Sequence, residues 1–115
     1  MIGRVNDIQK QVAETKITAE DAIIDAMTAI KAAVAAGDAD PALLDEAKKL
    51  HREAQFMWDF ISAENSTGFH NPEYALEVLS KSIDTARRAQ MLAAQSVNDM
   101  DLLTTGAFYP EPPTP

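Results

Sequence analysis

Residues 71–97 read N-P-E-Y-A-L-E-V-L-S-K-S-I-D-T-A-R-R-A-Q-M-L-A-A-Q-S-V. Asn71-Pro72-Glu73 is a helix start. Asn supplies a capping oxygen, Pro loses nothing at the first helical position, and the early acid faces the positive end of the helix dipole. Beyond it, Leu76, Leu79, Ile83, Ala86, Ala89, Leu92 and Ala93 recur at three- and four-residue spacing. That spacing lays one apolar stripe along a helix expected over about Pro72 to Val97.

The same punctuation recurs upstream. Asp40-Pro41 opens a helix expected to run to about Ala63 and to bury Leu43, Leu44, Ala47, Leu50, Ala54, Met57, Trp58 and Ile61. Its first half is amphipathic, with Asp45, Glu46, Lys48, Lys49 and Arg52 on the polar side. From Phe56 to Ile61 only Asp59 is polar, so that turn and a half asks for neighbours on every side. If buried, Asp59 needs a partner, and Arg87 or Arg88, or a group on another chain, could supply it. Glu64 to Asn71 reads as a loop.

Gly37 reads as the residue that closes a first helix over about Gly3 to Ala36. Val5, Ile8 and Val12, and then Ile23, Met27, Ile30 and Val34, follow helical spacing but do not share one heptad phase. The slip falls near Thr18-Ala19-Glu20-Asp21, which also reads as a capping box. The segment is therefore one long helix with a drifting seam or two helices broken near Lys16–Thr18, and one helix is favoured. At 1.5 Å per residue it would reach roughly 50 Å, a length suited to a bundle or an oligomer interface.

Strand signals are nearly missing, so the fold class is all-α: long antiparallel helices in a hairpin or three-helix bundle, expected to dimerise. The helical domain spans 1–98. Residues 99–115, with Pro110, Pro112, Pro113 and Pro115, form an irregular tail that is disordered or laid out on a neighbour.

Composition narrows the function classes. Eighteen acidic and ten basic side chains give a formal net charge of −8, which argues against a nucleic-acid or anionic-membrane surface. Cysteine is absent. That excludes disulfides, a thiol nucleophile, Cys-ligated zinc or iron–sulfur, and covalent attachment of a c-type haem to this chain. The two histidines, His51 and His70, are too few for a protein-only metal centre without carboxylate help. No phosphate-binding loop, dinucleotide turn, nucleophile elbow or zinc-protease motif is present. Glu64, Ser66 and His70 share a loop, but no nucleophile–base–orienter geometry supports a hydrolase there. His51, beside Lys48, Lys49 and Arg52, reads as an exposed helix residue without a function.

Five of the seven aromatics, Phe56, Trp58, Phe60, Phe69 and Tyr74, surround the loop that carries His70. Three helices cannot easily cover all of them, and an exposed aromatic patch meets a partner, a ligand or a missing part of the same protein. A lone loop histidine is ordinarily solvated or hydrogen-bonded. Met57, at helical spacing with Ala54 and Ile61, reads as core rather than as an iron ligand.

Residues Arg52 to Glu73, R-E-A-Q-F-M-W-D-F-I-S-A-E-N-S-T-G-F-H-N-P-E, resemble the closing helical region of the ammonia-forming, pentahaem cytochrome c nitrite reductases and their multihaem relatives. The resemblance rests on Ala54-Gln55, Trp58-Asp59-Phe60 and Gly68-x-His70-x-Pro72-Glu73, and it covers about Leu50 to Ala94. It implies that His70 is the distal axial ligand of one electron-transfer haem, with its other ring nitrogen held by a backbone carbonyl. That c-type haem would be attached through a Cys-x-x-Cys-His motif in the N-terminal haem-binding part of the same enzyme. The resemblance further implies a homodimer through long helices and a periplasmic location; no signal peptide precedes the first helix.

The chain departs from the family in lacking its haem-binding cysteines and its active-site Lys, Arg and Tyr. It has no catalytic residues to receive an assignment. It is expected to be a C-terminal fragment or a free-standing relic, unable alone to hold haem covalently or to reduce nitrite to ammonia. The competing expectation is a non-enzymatic, self-associating helical module without haem.

Overall fold

Alanine, more than the larger aliphatics, marks the buried side of the first and third helices. The computed structural model describes residues 2–66 and 71–103, with the side chains of 7–64 and 71–103. Helix α1 runs Ile2–Ala36, α2 Pro41–Ser66 and α3 Pro72–Val97, and a 3-10 turn follows at Met100–Leu103. Among the described residues there is no strand. His70, Phe69 and the proline-rich stretch from 104 onward lie outside the described residues.

Three clusters give the course of the chain. At one end Ala19 of α1 meets Ile61 of α2 and Ala75 and Leu79 of α3. In the middle Ala22, Ile23 and Ala26 meet Leu50, Ala54, Ala86 and Ala89. At the far end Ala29, Ile30 and Ala33 meet Ala47, Ala93, Ala94 and Leu102. So α2 runs against both neighbours, while α1 and α3 run the same way. Both outer helices lie mainly against α3.

Along α3 the buried positions Ala75, Leu79, Ser82, Ala86, Ala89, Ala93 and Ser96 alternate four and three residues apart, with buried Thr85, Gln90 and Ala94 beside them. That is an unbroken heptad seam. Ala19, Ala22, Ala26, Ala29 and Ala33 make a matching seam on α1, and half-buried Val12 and Thr15 extend it backwards in phase. The apparent slip in α1 therefore does not exist. It arose from following the large side chains, whereas methyl-sized ones line the interface. Met27 and Val34, expected inside, are 41% and 53% exposed.

Of the eighteen buried apolar residues among those described, twelve are alanine, so the helices can approach at the short end of the usual interaxial range. Close approach brings backbone atoms into contact. Stability then comes from dispersion between helix surfaces as much as from burial of large side chains.

α1 is continuous through the suspected break. Thr18 Oγ1 donates to the Glu14 carbonyl at 3.1 Å and Thr15 Oγ1 to Gln11 at 2.7 Å, so Thr18 does not cap a new helix. Gly37 closes α1 with φ +81°, its N–H donating to the Val34 carbonyl at 3.2 Å. Asp40 caps α2: its Oδ1 accepts from the N–H of Ala42 at 2.9 Å and of Leu43 at 3.3 Å. The Asp40 N–H donates to the Ser96 carbonyl at 2.8 Å and ties this corner to the end of α3.

Two expectations change at the other helix ends. α2 continues through Glu64-Asn65-Ser66 rather than stopping at Ala63. After α3, Asn98 takes the left-handed conformation (φ 53°, ψ 42°), and the Asp99 N–H reaches back to the Ala94 carbonyl at 3.0 Å. The chain then winds into the 3-10 turn and sinks Leu102 into the core, so the segment just after Asp99 is helical and packed.

Enlarging a seam alanine must push the helices apart. Ala86→Leu is expected to lower stability by about 1–3 kcal/mol in urea unfolding. Met27→Ala, on the exposed side of α1, is expected to change it by less than about 0.5 kcal/mol.

Candidate functional site

The α2–α3 corner is built from its two helix ends inward. Asn71 Oδ1 accepts from the Tyr74 N–H at 3.1 Å, and the Asn71 carbonyl accepts from the Ala75 N–H at 2.9 Å. Pro72 occupies the first turn and Glu73 supplies its acid, so the predicted start of α3 is observed. The residue bonded directly to His70 is thus held by a helix cap. His70 itself, expected as the iron ligand, lies outside the described residues.

Around this corner the aromatic residues divide into two groups. Trp58 is half-buried and faces α1: its indole N–H donates to the Lys16 carbonyl at 3.0 Å, and the Lys16 ammonium lies 4.9 Å from the ring centroid. One side chain thereby fixes the end of α2 against the middle of α1, with a cation–π contact added. Phe56, Phe60 and Tyr74 form a row on the outside. Phe56 stacks on Phe60 and Phe60 meets Tyr74 edge-on, both at 6.5 Å between centroids.

This row is open to solvent. Phe56 is 70% exposed, and Phe60 and Tyr74 are exposed too. The turn that asks for neighbours on all sides has them only on the side of Ile61 and Trp58; Met57, expected in the core, is half-buried and joins none of the core clusters. A shallow open groove of about 550 Å³ continues the row along α2, lined by Lys49, Arg52, Glu53, Phe56 and Met57. An apolar strip with flanking charges is a surface for a flat apolar group or a protein face. It carries no arrangement for acid–base or nucleophilic chemistry.

Asp59 is exposed and accepts a hydrogen bond from Gln55 Nε2 at 3.0 Å. It makes no use of Arg87 or Arg88. Arg87 instead donates to Asp25 of α1 at 2.8 Å, and the same nitrogen donates to Gln90 Oε1 at 2.9 Å. Gln90 Nε2 then donates to the Leu102 carbonyl at 2.7 Å. Asp25 and Gln90 are buried, so this relay joins α1, α3 and the 3-10 turn through satisfied polar groups. Its sequence signal was the single acid within Ala22-Ile23-Ile24-Asp25-Ala26-Met27, the same kind of signal that pointed to Asp59.

His51 is not the exposed residue that its charged neighbours suggested. It flanks the α2 seam, and its Nε2 is buried without a hydrogen-bond partner. Burial lowers its pKa below the usual 6.5; a hydrogen bond to the backbone of Ile23 opposes this, and the charge of Arg52 adds to it. Among the described residues no three His, Cys, Asp or Glu side chains converge to hold a metal ion. No described helix is long and apolar enough to cross a membrane.

Two predictions follow from these buried polar groups. Asp25→Ala should cost about 2–3 kcal/mol in urea unfolding, less than for a fully buried pair because Arg87 is 37% exposed. The double change Asp25→Leu with Arg87→Met should recover most of that loss.

For His51, the unfolded chain takes up a proton at higher pH than the folded one. Its contribution is therefore complete above pH 6.5 and lost as pH falls through 6.5 towards the lowered folded value. His51→Gln should flatten the stability profile in that window, measured by unfolding at a series of pH values above the carboxylate range.

A family model described as cytochrome c552 matches residues 1–110. The chain is 36% identical over 100 residues to the cytochrome c nitrite reductase subunit NrfA of Nitratidesulfovibrio vulgaris, an alignment that spans 82% of this chain and 19% of that relative. The chain thus spans about a fifth of the length of the curated relative it matches. No solved structure matches.

Proposed function

The chain belongs to the cytochrome c552 family, and on that premise we propose that it is the C-terminal helical part of a multihaem cytochrome c nitrite reductase. The observation that carries this reading is the family match over nearly the whole of a chain that has no cysteine. A haem-binding family cannot attach haem here, so the attachment sites belong to the remaining four-fifths of a polypeptide the length of the relative.

In this reading the uncovered Phe56–Phe60–Tyr74 row lies against the N-terminal haem-binding part. His70, in the segment between α2 and α3, gives its imidazole to the iron of one haem. The bound haem supplies one-electron transfer, towards the six-electron reduction of nitrite to ammonia at another haem. The chain's own residues position. The Asn71 cap and the Trp58–Lys16 contact hold the two helix ends from which that segment is strung. Of the two histidines, His51 is unsuited to the task, because its Nε2 is sealed between helices. The same reading places the protein in the periplasm, as a dimer through its long helices.

A second reading has one observation in its favour. The three helices share a core running from Ala19 to Leu102 without help from another part. That is what a free-standing, self-associating helical module requires.

The two are separated by the coding sequence upstream of Met1, where the reductase reading expects several in-frame Cys-x-x-Cys-His motifs. In that longer polypeptide, His70→Ala should convert one haem from low-spin six-coordinate to high-spin, seen in optical and electron paramagnetic resonance spectra. If every haem keeps its native axial pair, His70 is not the ligand.

A further inference from the structure

His51 is a titratable side chain that the reductase reading leaves without a task. It lies on the side of α2 that faces α1, and Trp58 follows it seven residues on along the same side. The backbone of Ile23 on α1 hydrogen-bonds the ring, and Nε2 is buried with no partner. A neutral imidazole tolerates that, since the bare nitrogen forgoes only one accepted hydrogen bond. A protonated ring would put an N–H and a positive charge where nothing accepts them.

The neighbouring charges do not compensate. On α2 the charged groups within a turn are Lys48, Lys49, Arg52 and Glu53. Arg52 disfavours a positive ring, and Lys49 and Glu53 line the outer groove. On α1, within a turn of Ile23, Glu20 and Asp21 are exposed, and Asp25 is joined to Arg87, the charge that α3 contributes at this level. The joint beside His51 is also the slight one, because α1 and α2 both lie mainly against α3.

We propose that protonation of His51 swings α1 away from α2 about its alanine seam with α3. The movement breaks the Trp58–Lys16 contact and leaves the contacts of α3 with both neighbours closed. It brings water to Nε2 without unfolding a helix. The inference rests on neither haem nor His70, so the 115-residue chain tests it alone and its failure leaves the ligand reading untouched. In the reductase reading, on which this one consequence rests, the opening slackens the end of α2 from which the His70 segment is strung.

Trp58 is the only tryptophan, so it reports the opening directly. As pH falls from about 7.5 to about 5, above the carboxylate range, its emission should move to the red and its quenching by acrylamide should increase. The opened form binds one proton more than the closed one. Exchange of the indole N–H, corrected for its intrinsic rate, should therefore rise by up to about tenfold for each pH unit below 6.5, until His51 titrates in the closed form. Helical circular dichroism should stay constant throughout.

H51L and H51Q should each remove the pH dependence, and H70Q, which alters the other histidine, should keep it. In the wild-type chain the Trp58 transition should share its midpoint with the titration of the His51 ring followed by NMR, a comparison that does not depend on any variant folding. Trp58 signals that stay flat down to pH 5, that persist in the His51 variants, or that have a different midpoint from the ring would each overturn the proposal. So would a transition in which helical circular dichroism is lost together with the Trp58 contact, since the whole bundle would then be unfolding.

Discussion

The close contact of α3 with both of its neighbours through alanine and serine is the constraint on which the rest depends. Ala75, Ala86, Ala89 and Ala93 present methyl groups where a more usual bundle would present leucine, and Ser82 goes further by donating to the Ala54 carbonyl of α2 at 2.9 Å. A hydroxyl on the backbone of another helix needs the two helices nearly in touch. That closeness gives dispersion contacts along the whole length of the helices. It also denies the core a sizeable load of buried aliphatic surface.

A seam of identical small side chains specifies its own register poorly, since a shift of seven residues would again set alanine against alanine. The polar contacts supply what is missing. Trp58 can reach a carbonyl on α1 at Lys16, and Arg87 finds its carboxylate at Asp25. Asp40 joins the α1–α2 corner to Ser96. None of these side chains has a like residue seven positions away, so together they select a single alignment. The larger aliphatics have a similar part: Ile61 and Leu79 close one end, and Leu102, carried back by the 3-10 turn, closes the other.

Building the core from alanine leaves large apolar residues free for other surfaces. Two such surfaces are present and they differ in kind. The aromatic row of Phe56, Phe60 and Tyr74, with its neighbouring groove, has mixed charges and no internal symmetry, and suits an unlike partner. The outward side of α1 carries Ile17, Ile24, Met27 and Val34, exposed at regular helical spacing. Under the proposed function, the haem-binding part of a longer polypeptide covers the aromatic row.

Much of this was legible in the residues. Capping signatures at Asp40-Pro41 and Asn71-Pro72-Glu73, and Gly37 between helices, mark where helices start and stop because they act through the local backbone. The resemblance around Arg52–Glu73 pointed to the family for a related reason, as it rests on residue identities in order. The role of His70 rests on that resemblance, and the residue lies outside the described part of the structure.

On α2 and α3 the buried face was legible as well, since Ala47, Leu50, Ala54, Ile61, Leu79, Ala86, Ala89 and Ala93 are buried as their spacing implies; on α1 only the tertiary structure decided it. Alanine carries too little hydrophobicity to announce itself as core, so Met27 and Val34 took the place in the pattern that Ala26 and Ala33 hold in the fold, while Ile23 and Ile30 are buried as expected. Likewise Asp25 and Asp59 look alike as single acids in apolar runs. Only the position of Arg87 across the bundle makes one a buried ion pair and leaves the other in solvent.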